Sequence, residues 1–159
     1  MQIRDVMTQA VKTCRAETNL AEAATLMWEN DCGVLPVVNE ENQVIGLLTD
    51  RDICMAVVTQ NQLASKLNAG QVISGKVYGC AEEEEIGNAI KVMKDMQVRR
   101  IPVIAKNGTL QGILSLSDLA LKADPKPDQG NGDFSYEDVL KVLKAVSETH
   151  KQVEQAEHP

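Results

Sequence analysis

The chain has 159 residues, 43% of them hydrophobic, and a formal net charge of −7; it is long enough for one domain or two small modules around a shared core. No apolar run approaches the ~20 residues that cross a bilayer and the N-terminus has no apolar signal core, so we expect a cytoplasmic protein without a membrane partner. An acidic chain whose few aromatic residues do not alternate with basic ones is not expected to bind nucleic acid.

The first predicted elements are a short strand at residues 10–14 and a helix that starts near Leu20. The helix is predicted from an apolar stripe with helical spacing, formed by Leu20, Ala23, Ala24 and Met27. Asn19 and Glu22 resemble a capping box at its start. Two apolar runs, 34–38 and 44–48, flank a polar turn and predict a hairpin. A helix over 50–59 completes a first unit, residues 1–60.

A second copy of this unit occupies residues 72–123, after a linker at 61–71. An offset of 66 residues takes Gly46 to Gly112 and Pro36 to Pro102, and roughly fifty positions align without a gap, which identifies an internal repeat. The second copy is predicted to have a strand at 76–80, a helix from Ile86, strands at 101–104 and 110–114, and a helix over 116–122. The fold class is therefore α/β (α+β), with the order β-α-β-β-α twice.

The C-terminal part is predicted to be a flexible linker, residues 124–133, and a helix, residues 134–157. Ser135 is placed to cap this helix, and Val139, Leu143 and Val146 lie roughly along one face. The helix is expected to pack on its own protein, to bridge protomers or to dock a partner.

Cysteine and histidine spacing gives no metal site. The four cysteines form no C-x-x-C pair, and both histidines lie in the C-terminal tail. The cysteines are therefore expected to be small buried hydrophobic residues; they are Cys14, Cys32, Cys54 and Cys80.

The chemical signal of the chain is Gly-x-x-[Thr/Ser]-x-x-Asp at the strand-to-helix junction of each copy. It occurs as Gly46, Thr49 and Asp52, and again as Gly112, Ser115 and Asp118. A hydroxyl and free N–H groups at a helix start suit a phosphate, and an Asp one turn later can accept two ribose hydroxyls. The same pattern is also an ordinary capping box, and both interpretations remain open at this point.

The repeated β-α-β-β-α order, the proline in the second strand and the junction motif resemble the CBS domain. Two tandem copies, over residues 1–123, resemble a CBS domain pair or Bateman module, in which two repeats pack with pseudo-two-fold symmetry and form two clefts for adenosine-containing ligands. The segment Arg99-Arg100-Ile101-Pro102-Val103 and the second junction motif are similar to the nucleotide-sensing γ subunit of AMP-activated protein kinase.

The resemblance implies ligand-binding roles for particular residues and no catalytic residue. Asp52 and Asp118 would hold ribose, and Thr49, Ser115 and Ser117 would hold phosphate. Arg100 and Arg99 add charge for a phosphate, or are surface ion-pairing residues, and Arg51 is the cation nearest the first site. Contacts from the strands would come from Thr8, Val34, Ser74, Pro36 and Pro102. The second site is expected to bind more tightly than the first.

Three functions follow as hypotheses. The first is a non-enzymatic regulatory module, active in energy sensing, that binds AMP, ADP or ATP (or NAD or S-adenosylmethionine) and signals to a separate target protein. The second is a ligand-free dimerisation or interaction module. The third, an enzyme, lacks any catalytic motif. The resemblance also implies a homodimer through the helices, with Met27, Trp28, Met93 and Met96 as either dimer surface or intrachain core.

Overall fold

The computed structural model describes residues 1–124 and 134–148, and its chain folds as two similar halves. The first half contains α1 (Leu20–Glu29), β1 (Val34–Val38), β2 (Val44–Thr49) and α2 (Asp50–Gln60). One turn of helix, α3 (Ala69–Val72), leads into the second half, which contains α4 (Ile86–Asp95), β3 (Arg100–Ile104), β4 (Leu110–Ser115) and α5 (Leu116–Lys122). Helix α6 (Tyr136–Ser147) follows, and single 3₁₀ turns lie at Ile3–Asp5 and Ala64–Lys66.

Each half is built around a two-stranded antiparallel sheet. The registers are equivalent, with Pro36 opposite Leu47 and Pro102 opposite Ile113. The apolar stripes of α1 and α4 pack on these sheets and form one core per half, with Leu35 and Leu48 fully buried in the first and Ile101 and Leu114 in the second. The predicted mixed α/β fold is confirmed.

The strands predicted at residues 10–14 and 76–80 are reduced to one parallel bridge each. Cys14 N donates to Pro36 O at 3.0 Å, and Val38 N donates to Cys14 O at 2.9 Å. A parallel ladder extended toward Lys12 needs an N–H from Pro36, which proline lacks. Pro102 limits the pairing of Cys80 in the same way, so the prolines that mark the repeats also shorten these strands.

The two halves exchange their leading segments. Ile3 and Val6 are buried in the core of the second half, whereas Leu67 and Ala69 are buried in the core of the first. The segment predicted as a linker, residues 61–71, therefore carries two core residues, and each half is completed by a stretch of chain that precedes the other half. Neither half therefore completes its core from one contiguous stretch of chain.

Helix α6 packs on α4 and α5. Val142 and Val146 are buried against the second core together with Phe134, and Gln97 Nε2 donates to Ala145 O at 2.9 Å. Of the three locations considered for this helix, the described residues show packing on its own chain. Residues 125–133 of the linker predicted at 124–133, and residues 149–157 of the predicted helix, lie outside the described residues. Within the described ranges, no helix is long and apolar enough to span a membrane.

Candidate functional site

Both strand-to-helix junctions are closed capping boxes with nearly identical geometry. Asp118 Oδ2 accepts from Ser115 N at 2.8 Å and from Ser115 Oγ at 2.6 Å, and Asp118 N donates to Ser115 Oγ at 3.1 Å. Asp52 Oδ2 accepts from Thr49 N at 2.9 Å and from Thr49 Oγ1 at 2.7 Å. In each box the hydroxyl proton is already used by the carboxylate.

A third box, at the start of α6, shows that this geometry does not mark a ligand site by itself. Ser135 N and Oγ donate to Asp138 Oδ2 at 3.0 and 2.8 Å. These bonds lower the pKa of Asp138 because they stabilise its charged form. Gly132 stands three residues before Ser135, so this third box carries the whole Gly-x-x-Ser-x-x-Asp pattern in the sequence. The capping interpretation is therefore right for all three junctions, and a ligand role depends on what else surrounds Asp52 or Asp118.

Asp118 lies in a cleft of about 390 Å³ that both halves build. The Asp118 cleft has a size within the usual range for small-molecule sites, ≈ 300–1,000 Å³. The residues that line it in the second repeat of the sequence are Arg100, Ile113, Ser115 and Asp118. Those in the first repeat of the sequence are Thr8, Ala10, Val11, Lys12 and the run from Asn30 to Val34. Four of the predicted contact residues, Thr8, Val34, Arg100 and Ser115, are thus brought together around Asp118.

The first half reaches this cleft because of the exchanged N-terminal segment. Thr8 pairs with Ile113 of β4 through two backbone hydrogen bonds of 2.9 Å each. Gly112 permits the approach, since a Cβ there would lie 2.8 Å from Thr8 O. The glycine of the junction motif therefore makes room for the protein's own chain, and that chain then forms one wall of the cleft.

The cleft contains charges of both signs. Lys12 is exposed and Arg100 is half-buried, and both line the cavity with the carboxylates of Asp118 and Asp31. Among the described residues, the hydrogen bonds that Asp118 accepts from Ser115 go to Oδ2, which leaves Oδ1 to accept from a ligand hydroxyl. The arrangement suits a ligand with a hydroxyl-bearing part and an anionic part.

Sequence reasoning missed Lys12 and the run from Asn30 to Gly33. Lys12 precedes Asp118 by more than one hundred residues, and motif matching within one repeat does not show that the halves exchange segments. Lys12 is brought to the cleft between two bridges, that of Thr8 with β4 and that of Cys14 with β1. Asp31 has a positive φ of 49°, which turns the chain so that the residues after it line the cavity.

The Asp52 junction has different surroundings. At the offset of 66, Ser74 corresponds to Thr8, Tyr78 to Lys12 and Val34 to Arg100. Ser74 is exposed, and among the described residues no bridge joins it to Leu47 in the way that Thr8 joins Ile113. Arg51 is exposed on α2, beside Asp52 in the chain. Val34, which the motif suggested for either site, lines the Asp118 cleft.

The remaining predicted residues lie elsewhere. Arg99 and Ser117 line a separate cavity of about 350 Å³, here called the second cavity, which also touches Arg100 and Ser115. Pro36 and Pro102 are buried in β1 and β3, where their carbonyls accept from Cys14 and Cys80. Neither proline lines the Asp118 cleft or the second cavity.

The cysteines divide into two pairs. Cys14 and Cys80 are buried as predicted, and burial, assisted by Glu22 and Glu84, raises the pKa of each thiol to about 11. The prediction is wrong for Cys54, which is exposed on α2, and for Cys32, which is half-buried and lines the Asp118 cleft. In the described part of the chain, no three His, Cys, Asp or Glu side chains converge as metal ligands.

Comparison with protein families gives a match to the CBS domain over residues 3–59 and again over 69–123. An uncharacterised protein of Methanopyrus kandleri, MK0525, is 31% identical over 125 residues, which are 79% of this chain and 63% of that protein. The chain thus spans under two thirds of that relative. Hypoxic response protein 1 of Mycobacterium tuberculosis is 32% identical over 117 residues, or 74% of this chain and 81% of that protein.

Solved structures have the same fold. A crystal structure of Hypoxic Response Protein I with two coordinated zinc ions matches with a TM-score of 0.71 and 31% identity, covering 78% of this chain and 100% of that one. The CBS domain pair of protein MJ0100, in complex with 5′-methylthioadenosine and S-adenosyl-L-methionine, matches with a TM-score of 0.69 and 21% identity, covering 76% of this chain and 94% of that one.

Proposed function

This chain belongs to the CBS domain family, and we propose from that premise that it is a regulatory module that binds an adenine nucleotide in the Asp118 cleft. The observation that carries the proposal is the composition of the cleft, in which Lys12 of the first half and Arg100 of the second lie with Asp118 around one cavity. The adenosyl ligands held by the MJ0100 pair support the ligand class.

Within the cleft, the nucleotide would use different groups for its parts. Asp118 Oδ1 accepts from the ribose hydroxyls while Oδ2 keeps the capping box closed. The Ser115 hydroxyl proton is already donated to Asp118, so the two cations, Arg100 and Lys12, carry most of the phosphate charge. Val11 and Val34 offer apolar surface for the adenine ring.

The module would act by changing its preferred conformation when the ligand is bound. The run from Asn30 to Val34 belongs to the first half, whereas Arg100 and Asp118 belong to the second, on which Thr8 is also held by its pairing with Ile113. A ligand that contacts both sets favours whichever relative position of the halves allows both contacts at once. A separate target protein and a homodimeric partner would then sense this position; both remain proposals, as does a location in the cytoplasm.

Calorimetric titration with AMP, ATP, NAD and S-adenosylmethionine tests the proposal. We expect one of these ligands to bind with micromolar affinity. Asp118→Asn should lower this affinity at least about tenfold, because it removes a charge-assisted hydrogen bond. Asp52→Asn and Asp138→Asn are matched controls, because each changes the same capping box elsewhere.

Either of two results would contradict the proposal. If none of the four ligands binds, the alternative of a ligand-free interaction module is favoured. If Asp52→Asn weakens binding as much as Asp118→Asn does, the ligand is not confined to the cleft described here.

A further inference from the structure

The first half carries an open groove between α1 and α2, here called the α1–α2 groove. Its volume is about 370 Å³, and the apolar side chains along it are those of Ala24, Met27, Trp28 and Ile53. Trp28 is 88% exposed, although a tryptophan is ordinarily buried over most of its surface. The first half therefore presents an apolar surface that it does not cover by itself.

The equivalent face of the second half is covered by α6. At the offset of 66, Asp31 corresponds to Gln97, whose Nε2 donates to Ala145 O of α6 at 2.9 Å. Met27 corresponds to Met93, which is fully buried in the core that α6 completes. Asp31 and Gln97 have nearly the same positive φ, 49° and 52°, so the chain turns in the same way at both positions. The packing of α6 thus shows how a helix lies on this face.

The two faces differ in charge. Gln97 and Leu116 of the second half are neutral, whereas their counterparts in the first half are Asp31 and Asp50. Both carboxylates line the α1–α2 groove, and none of the described residues that line it is basic. Helix α1 itself contains two glutamates and no Lys or Arg. A helix that lies in this groove is therefore favoured if it carries cations where α6 has none.

The α1–α2 groove and the Asp118 cleft share a wall. Asp31, Cys32 and Gly33 line both of them. A ligand in the cleft and a helix in the groove therefore contact the same short segment of chain, through which the binding of one can change the binding free energy of the other.

We propose that the α1–α2 groove is the docking site of the target protein and that it takes an amphipathic helix with Lys or Arg beside its apolar face. The inference rests on the proposed regulatory function, since it names the kind of target that such a module would signal to. The apolar face covers Met27 and Trp28, and the cations contact Asp31 and Asp50. A second copy of this chain would instead add its own carboxylates to the groove, so the helix is better matched in charge and displaces it.

Two peptides that differ in one charged residue test the docking site. Both have the sequence of residues 135–148, one with Leu143→Lys and the other with Leu143→Glu. Leu143 is chosen because it lines the second cavity with Leu116, the counterpart of Asp50, and because it is 44% exposed. Trp28 is the only tryptophan of the chain, so a blue shift of its fluorescence reports binding in the groove.

We expect the Leu143→Lys peptide to bind the unmodified protein at least about fivefold more tightly than the Leu143→Glu peptide, because it attracts Asp50 and the other repels it. Asp50→Lys should reverse this order. Asp95→Lys is the matched control and should keep the order, since Asp95 is exposed on α4 and does not line the groove. Added salt should weaken the binding of the Leu143→Lys peptide.

The outcomes separate the docking site from the function on which it rests. An order that does not reverse in Asp50→Lys overturns the docking site, as does peptide binding that leaves the Trp28 fluorescence unchanged. If neither peptide binds while a nucleotide still binds in the Asp118 cleft, only the docking site is overturned. If a peptide binds in the groove and no adenosine compound binds, only the proposed nucleotide function is overturned.

The shared wall adds a reciprocal test. Where peptide and nucleotide both bind, each should change the affinity of the other by the same factor. Affinities that do not change at all would overturn the link between the groove and the cleft through Asp31, Cys32 and Gly33.

Discussion

At the scale of single residues, the same hydrogen bonds occur in very different surroundings. Asp52, Asp118 and Asp138 each close a capping box, yet only Asp118 lines the two-sided cleft with Arg100 and Lys12. The motif therefore predicts the helix start reliably, because capping needs only residues within one turn. It does not predict the cleft, which depends on residues brought from the other half.

The reactivity of the four cysteines is a prediction at this scale. Burial raises the pKa of Cys14 and of Cys80 to about 11. A thiol is nucleophilic only as the thiolate, so these two cysteines are unreactive near neutral pH. We expect iodoacetamide at pH 8 to modify the exposed Cys54 first and to leave Cys14 and Cys80 unmodified until the protein unfolds. Mass spectrometry of a time course gives the order.

Cys32 connects that experiment to the cleft. Because Cys32 lines the Asp118 cleft, a bound nucleotide should slow its alkylation severalfold without changing the rate at Cys54. Equal slowing at both positions would indicate a general effect of the nucleotide on the reagent or on the fold. Rapid modification of Cys14 or Cys80 in the folded protein would contradict the burial described here.

At the scale of elements, most helices, most strands and the two hairpins could be predicted, whereas the packing partners of the leading segments could not. The apolar stripe from Leu20 and the runs at 34–38 and 116–122 gave α1, β1 and α5, since periodicity is a local property. Leu67 is buried in the first core and Ile3 in the second. No pattern in the sequence around either residue predicts this location. Two repeats with the same pattern accept either leading segment, so only the folded chain shows that the segments are exchanged.

The two junction glycines test the exchange. A Cβ at Gly112 would lie 2.8 Å from the backbone oxygen of Thr8, whereas one at Gly46 would lie 2.7 Å from Ile73 Cδ1, at the end of that side chain, and no closer than 3.0 Å to Ile73 Cβ. A side-chain end can move aside, but the backbone of Thr8 is held by its pairing with Ile113. We therefore expect Gly112→Ala to cost about 1–3 kcal/mol of unfolding free energy and Gly46→Ala to cost less.

Urea denaturation measures the two costs, and titration with the bound nucleotide adds a second reading. Gly112→Ala displaces Thr8, which lines the Asp118 cleft. This substitution should therefore also lower the affinity for the nucleotide. Gly46→Ala should leave nucleotide affinity unchanged. If the two variants lose the same stability and the same affinity, the close approach of Thr8 is not what the glycine at 112 serves.

At the scale of the whole molecule, helix α6 breaks the similarity of the two halves. It covers the helical face of the second half, where Met93 is fully buried, and the matching face of the first half stays open. That face carries a groove of about 370 Å³ between α1 and α2, lined in part by Ala24, Met27 and Ile53, beside Trp28. Met27 and Met93 thus belong to the cores, whereas Trp28 and Met96 remain exposed.

The open groove leads to a prediction about the proposed homodimer. Trp28 is 88% exposed beside an apolar groove, so a two-fold contact can place each indole in the groove of the other copy and bury both. Asp31 and Asp50 also line this groove, and two copies would bring four carboxylates together. We therefore expect a dimer whose dissociation constant falls as salt screens this repulsion.

Sedimentation velocity over a range of concentrations and salt tests the dimer, with Trp28→Glu as the disrupting variant. Leu121→Glu is the control, since Leu121 is 84% exposed on α5 and lines neither this groove nor the second cavity. We expect Trp28→Glu to be monomeric where the unmodified protein and Leu121→Glu are dimeric. A dimer that persists in Trp28→Glu would show that the contact lies on another face. A protein that is monomeric at all concentrations would contradict the dimer and favour binding of a different protein in the groove.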